Sequence, residues 1–275
     1  MSIHAPIGVY DSGLGGLSIL QDLQRELPYE HFLYVADSAH LPYGERSSDY
    51  VRERALTIAR FFVDRGVKAM VVACNTATTA AATLMREHFP DLILIGVEPA
   101  IKPALALTRA GNVGVLATAG TLRSASFRRL CESLAEGRRI VTVACPSWVE
   151  LVEQGEAHPD MQGRVDTLIA EPIRKLLAQG VDVLVLGCTH FPFLRDRIAS
   201  HVPEGISVLD TGVAVARQTR RRLAAAGLLA PEDGTVPEFS LSVLSSSGET
   251  EAISLRVSHL LRQPVRVAQL AAAYC

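Results

Sequence analysis

Gly66-Val67-Lys68-Ala69-Met70-Val71-Val72-Ala73-Cys74 and Gly180-Val181-Asp182-Val183-Leu184-Val185-Leu186-Gly187-Cys188 are one phrase written twice. In each, a glycine turn feeds a β-branched apolar run that ends at a cysteine, with the glycine eight residues before the cysteine. Such a short apolar run, bounded by a turn, reads as a strand buried on both faces. The correspondence extends outward in order. Ile7-Gly8-Val9-Tyr10-Asp11 lies over Val113-Gly114-Val115-Leu116-Ala117, and Tyr34-Val35-Ala36-Asp37 over Thr142-Val143-Ala144-Cys145. A period of about 110 residues is what two copies of one structural unit leave in a sequence.

The strand runs are Ile7 to Tyr10, Phe32 to Ala36, Ala69 to Ala73, Leu92 to Val97, Val113 to Ala117, Ile140 to Ala144, Val183 to Leu186 and Ile206 to Leu209. Longer segments of helical periodicity separate them, the rhythm of parallel sheets covered by helices. The sequence therefore predicts an α/β protein of two pseudo-symmetric units with mainly parallel central sheets and an active-site cleft between them. The first unit is expected to take residues 1–98 together with 212–275, and the second residues 99–211. In the tail, a helix is expected over Val213 to Ala226 and a strand over Phe239 to Ser245. Between them Pro231, Asp233, Gly234 and Pro237 mark residues 230–238 as a loop, and the tail should pack back on the first unit.

A chain of 275 residues, 48% of them hydrophobic, can bury two cores of ordinary domain size. With 27 basic and 29 acidic residues the net charge is -2, too small a field to hold a phosphate backbone or an anionic membrane. Neither nucleic acid nor a membrane is an expected partner. No stretch reaches the roughly 18 apolar residues of a membrane span, and the start of the chain lacks a secretory-signal pattern. A cytoplasmic location is expected. The five cysteines are an odd number without C-x-x-C spacing, so neither a disulfide framework nor a structural metal site is expected.

Position decides what the cysteines do. Ligands of open α/β sheets bind beyond the carboxyl ends of the strands, which is where Cys74 and Cys188 fall; facing units would bring them together from opposite sides. Behind them come Asn75-Thr76-Ala77-Thr78-Thr79 and Thr189-His190-Phe191-Pro192. These polar helix starts can bind an anion on free N–H groups and are expected to lower the pKa of the adjacent thiols. One reactive thiolate would suggest nucleophilic catalysis. Two equivalent thiols suggest inversion of a carbon that bears one hydrogen, a thiolate taking the proton from one face while a thiol delivers another to the opposite face. The two should titrate as a coupled pair.

Pyridoxal-phosphate racemases need a Schiff-base lysine. The three lysines here, Lys68, Lys102 and Lys175, avoid the carboxyl ends of the strands, and Gly13-Leu14-Gly15-Gly16 is no phosphate-binding loop. No cofactor and no metal are expected. Of the other cysteines, Cys145 falls at a strand end but has Asp37 as its repeat partner, Cys131 reads as an apolar residue on a helix, and Cys275 should be exposed.

The motifs quoted so far, with Gly8-Val9-Tyr10-Asp11-Ser12-Gly13-Leu14-Gly15-Gly16-Leu17, Pro42-Tyr43-Gly44-Glu45-Arg46-Ser47, Ala73-Cys74-Asn75-Thr76-Ala77, Leu116-Ala117-Thr118-Ala119-Gly120-Thr121 and Gly187-Cys188-Thr189-His190-Phe191-Pro192-Phe193-Leu194, run in order along residues 7–215. In these the chain resembles the glutamate racemases of bacterial cell-wall synthesis, within the wider aspartate/glutamate racemase group. The resemblance implies cofactor-independent interconversion of L- and D-glutamate, supplying D-glutamate for peptidoglycan, by an enzyme that commonly forms homodimers. It implies that Cys74 takes the α-proton of D-glutamate and Cys188 that of L-glutamate. It further implies that Asp11, Ser12, Tyr43, Gly44, Asn75, Thr76, Thr189 and His190 contact the substrate, with Asp11, His190 and Glu153 supporting the cysteines. Trp148-Val149-Glu150 departs from the family's usual Phe-Val-Pro. An aspartate racemase, a one-cysteine dicarboxylate isomerase of the same fold, and a non-catalytic two-lobed amino-acid binder are the alternatives.

Overall fold

The computed structural model describes residues 2–135, 137–155, 161, 163–231 and 240–275. The chain opens with β1 (Ile7–Asp11), α1 (Leu17–Glu26), β2 (Phe32–Ala36), α2 (Ser48–Asp64), β3 (Ala69–Val72), α3 (Asn75–His88) and β4 (Ile93–Gly96). It continues with α4 (Ile101–Leu107), β5 (Asn112–Ala117), α5 (Ala119–Arg123), α6 (Ala125–Leu134), β6 (Arg139–Ala144), α7 (Pro146–Gln154), α8 (Val165–Leu177), β7 (Val183–Leu186), α9 (Arg195–Ser200) and β8 (Ser207–Leu209). It closes with α10 (Gly212–Ala225), β9 (Leu241–Ser245), α11 (Thr250–Leu261) and β10 (Val267–Gln269).

The strands form two sheets, ordered β10-β9-β2-β1-β3-β4 and β6-β5-β7-β8, and every strand pairing in them is parallel. The second order repeats the β2-β1-β3-β4 run of the first. The repeat is kept to the residue: Ile7 faces Phe32 and Ala69, while Val113 faces Ile140 and Val183. Strands buried on both faces need apolar residues on both, and the helices supply the covers. On one face of the first sheet Ile7 and Val9 meet Leu17, Leu20 and Leu23 of α1 and Leu223 of α10. On the other, Tyr10 and Val72 meet Ile58 and Phe62 of α2 and Met85 of α3. Leu184 and Leu186 pack on Ile169, Ile173 and Leu176 of α8, while Val183 and Val185 pack on Ile101 and Leu105 of α4. Each such fully buried side chain contributes about 1.5–3 kcal/mol.

The tail adds β9 beside β2 and β10 beyond it. Of the loop expected over residues 230–238, positions 232–238 lie outside the described residues, as does Phe239. Lys68 is buried at the amino end of β3 in an ion pair with Glu30, the sheet edge opposite the cysteines. No helix among the described residues is long and apolar enough to cross a membrane.

Candidate active site

β1 ends at Asp11 and runs into the turn Ser12-Gly13-Leu14-Gly15-Gly16 before α1 begins. Asp11 is fully buried, with Oδ1 accepting from the Gly13 N–H at 2.9 Å and Oδ2 from the Thr189 hydroxyl at 3.0 Å. Burial holds its carboxyl above the usual range, against the nearby His190 and the Gly13 N–H. Tyr34 of β2 donates to the Gly13 carbonyl at 2.7 Å and so props the turn from below. The second unit is stitched to the same turn: Leu14 N–H donates to Glu153 Oε1 at 2.7 Å, and the Ser18 hydroxyl donates to the Thr189 carbonyl at 2.7 Å. The unit boundary therefore passes through the polar residues that flank the cysteines.

Cys74 is itself the N-cap of α3, its sulfur accepting from the Ala77 N–H at 3.4 Å and lying 3.7 Å from the Ser12 hydroxyl. Cys188 follows β7, with its sulfur 3.6 Å from His190 Nδ1, and His190 Nε2 is 2.6 Å from Glu153 Oε1. Burial opposes a charged imidazole, but the bonds to Cys188 and Glu153 outweigh it and hold His190 well above its ordinary value. An imidazolium so placed donates to both Cys188 and Glu153.

The expectation that helix starts lower both thiols needs correction. Burial, then the Asp11 charge, pushes the Cys74 thiol up to about 12, more than the single Ala77 N–H can offset. On the other side no helix starts at Thr189: residues Phe191–Leu194 form a 3₁₀ turn and α9 begins only at Arg195. Cys188 is served by a histidine rather than a helix terminus.

Ser12, Tyr43, Gly44, Cys74, Asn75, Thr76, Cys188, Thr189 and His190 line one cleft, whose few convergent polar groups suit a small polar ligand. Asp11 and Glu153 stand behind this lining, Asp11 under Ser12 and Glu153 under His190. Tyr43 and Gly44 sit on a 3₁₀ turn, Tyr43–Glu45, whose Gly44 carbonyl accepts from Arg123 Nη2 of α5 at 3.4 Å. Asn75 Nδ2 is buried without a hydrogen-bond partner among the described residues. An orphaned amide donor costs free energy unless something accepts from it; at the start of α3 it is aimed to receive an anion.

Several residues of the site escaped the sequence reading. Thr118, Ala119, Pro146, Val149 and Glu150 line the cleft from the second unit. Thr118 caps α5 and shares a hydroxyl cluster with Thr76 at 2.9 Å and Thr121 at 3.0 Å across the unit boundary. The repeat carried the signal, since Thr118 stands where Ser12 stands in the first copy. Glu150 lines the cleft while Glu153, one helical turn on, holds His190. Trp148 fixes this helix, donating to the Leu168 carbonyl at 2.8 Å and meeting Phe191 edge-on at 4.9 Å. Cys145 is buried and its thiol is raised by burial, Cys131 is half-buried on α6, and Cys275 is exposed. Among the described residues no group of three His, Cys, Asp or Glu is arranged to hold a metal ion.

Two glycines make room for the pair behind Cys188. A Cβ on Gly15 would stand 2.2 Å from His190 Nδ1, and one on Gly13 would stand 2.2 Å from Glu153 Oε1. Gly15→Ala must push the imidazole off Cys188. We expect kcat to fall at least about tenfold while overpacking lowers stability by about 1–3 kcal/mol; unchanged kcat in steady-state assays would show that the His190 contact is dispensable.

Residues 11–219 match the family described as Asp/Glu/Hydantoin racemase. A glutamate racemase of Pseudomonas putida strain W619 is 55% identical over 226 residues, 82% of this chain and 84% of that protein. One from Ectopseudomonas mendocina is 46% identical over 264 residues, 96% and 97% of the two chains. Among solved structures, Escherichia coli glutamate racemase in complex with L-glutamate and the activator UDP-MurNAc-Ala superposes with a TM-score of 0.83 at 33% identity, covering 97% of this chain and 98% of that one.

Proposed function

The chain belongs to the Asp/Glu/hydantoin racemase family, and from that premise we propose that Cys74 and Cys188 are the two proton carriers of a cofactor-independent glutamate racemisation. The activity itself follows from relatives about half identical over more than four-fifths of both chains, all glutamate racemases. The protein is an isomerase that interconverts L- and D-glutamate.

One observation supports the two-base reading above the others: both cysteines line the same cleft, at the ends of strands that the repeat makes equivalent, yet their supports have opposite charge. Cys74 lies near the Asp11 carboxylate, which favours the neutral thiol. Cys188 lies beside His190, whose ring is held between the Cys188 sulfur and the Glu153 carboxylate and is raised well above its ordinary value. A racemase must begin each turnover with one base empty and the other loaded, and this asymmetry prepares the removal of a proton from L-glutamate by Cys188 and its replacement on the opposite face by Cys74. The reverse turnover starts from the exchanged pair of protonation states.

In this reading Asn75 Nδ2, the first N–H groups of α3 and the Tyr43-Gly44 turn hold the substrate carboxylates, with Ser12, Thr76, Thr189 and His190 completing the contacts. Asp11 acts from behind, through Thr189 and the field it places on Cys74. The D-glutamate produced supplies cell-wall peptidoglycan, and the enzyme works in the cytoplasm as a homodimer; light scattering of the purified protein checks the dimer. A chiral assay with each enantiomer of glutamate and aspartate, without added pyridoxal phosphate, tests the function. Racemisation of glutamate is expected. Turnover of aspartate alone, or none until pyridoxal phosphate is added, would overturn the reading.

A further inference from the structure

The Tyr43-Gly44 turn is tied to the far end of the chain through buried polar groups that no step of the proton transfer uses. Tyr43 is 1% exposed, and its hydroxyl lies 2.6 Å from Tyr10 Oη and donates to Asp37 Oδ2 at 2.5 Å. Asp37 is fully buried at the end of β2. Arg54 of α2 grips it with two donors, Nε to Oδ2 at 3.0 Å and Nη2 to Oδ1 at 2.8 Å. The same guanidinium reaches outward, Nη2 to the Tyr274 carbonyl at 2.8 Å and Nη1 to the Cys275 carbonyl at 3.2 Å. Those carbonyls are themselves fixed, because Tyr274 packs edge-on against Phe61 of α2 at 5.2 Å and its hydroxyl donates to Asp64 at 2.6 Å.

We propose that Arg54 and Asp37 are positioning residues for substrate binding, a strut that runs from the 274–275 carbonyls to Tyr43 and sets where the Tyr43-Gly44 turn stands in the cleft. This rests on the reading of the cleft as a glutamate site. A buried carboxylate is tolerated only with its charge matched and its oxygens bonded. Arg54 does both for Asp37, and a bidentate guanidinium fixes direction as well as charge. The oriented carboxylate then fixes the Tyr43 hydroxyl, and the Tyr43 backbone leads directly into Gly44 at the cleft wall. His40 faces the same carboxylate, its Nε2 4.0 Å from Asp37 Oδ1 and its Nδ1 2.5 Å from the Tyr50 hydroxyl. Arg54 remains the only group bonded to Asp37 and to the carbonyls of residues 274 and 275 alike among the described residues.

Such a strut acts on binding, not on proton transfer, and that separates it from a merely structural role. Arg54→Lys keeps the charge but a single ammonium cannot span two carboxylate oxygens and two carbonyls. It is expected to raise KM for both enantiomers of glutamate about tenfold, with kcat within about threefold of the parent, the pattern left when binding shared by ground and transition states is lost. A variant ending at Leu270 removes the carbonyls and leaves Arg54 and Asp37 in place; it should raise KM in the same sense by a smaller factor. Asp37→Asn, which keeps an oxygen for Tyr43, should recover part of the affinity lost in Asp37→Ala. Loss of thermal stability with unchanged KM in Arg54→Lys and the shortened chain would overturn the proposal, as would a fall in kcat with KM unchanged. The parent enzyme assayed alongside keeps the two claims apart: a parent inactive on glutamate contradicts the glutamate reading, whereas an active parent with indifferent variants contradicts the strut.

Discussion

Cys74→Ser and Cys188→Ser each lose racemisation in both directions, by about 10²–10⁴-fold, the contribution of a positioned acid or base. A serine hydroxyl fits either position but gives up a proton far less readily than a thiol. Losing one base is as damaging as losing the other, because every turnover uses both: one as acceptor, the other as donor. The two enantiomers have equal free energy, so kcat/KM must fall by the same factor whichever is supplied. Coupled chiral assays of both variants check this, and near-parental kcat/KM in either would contradict the pairing.

The second large effect belongs to His190, which the resemblance places in the site and whose bonds to Cys188 and Glu153 the fold supplies. His190→Asn keeps a donor near the Nδ1 position but removes the charge and the bond to Glu153. We expect kcat/KM to fall about 10–100-fold, with a larger primary deuterium isotope effect on L-glutamate deuterated at the α-carbon than on the D-enantiomer, since Cys188 takes the L-enantiomer's proton. Equal isotope effects would place His190 outside that step. The sign of the pH dependence follows from the raised value of His190. Above the ordinary pKa of about 6.5 the folded protein holds a proton that the unfolded chain has released, so stability from this group is full below that pH and is lost as pH rises through the raised value. Melting temperatures of the parent should decline across this alkaline window more than those of His190→Asn.

The two-sheet architecture was legible because duplication leaves the same phrase twice. The register of Ile7 against Phe32 and Ala69, repeated by Val113 against Ile140 and Val183, is the alignment of the sequence made physical. Helix α11 and strand β10 left no comparable trace. Leu255 of α11 is 76% exposed, which blurs the apolar stripe, and β10 has three residues that gain their order from β9.

In the site, position at strand ends found the cysteines, and motif likeness found Asn75, Thr76, Thr189 and His190. What sequence could not supply was electrostatics. The thiol of Cys74 rises because Asp11 and the walls of the cleft surround it, a consequence of folding that no local helix-start rule contains. Nor does spacing reveal that Asp37, Arg54 and residues 274 and 275 meet, since their contacts span up to 221 positions.

Racemisation of L-glutamate in deuterated water, stopped at low conversion, tests the two-base claim most directly. Mass spectrometry of the separated enantiomers should find the D-glutamate formed carrying solvent deuterium at the α-carbon while the recovered L-glutamate remains unlabelled, because the thiol that gives the proton is not the one that took it. Deuterium appearing equally in recovered substrate and product, or product without it, would contradict two cysteines working on opposite faces of one carbon.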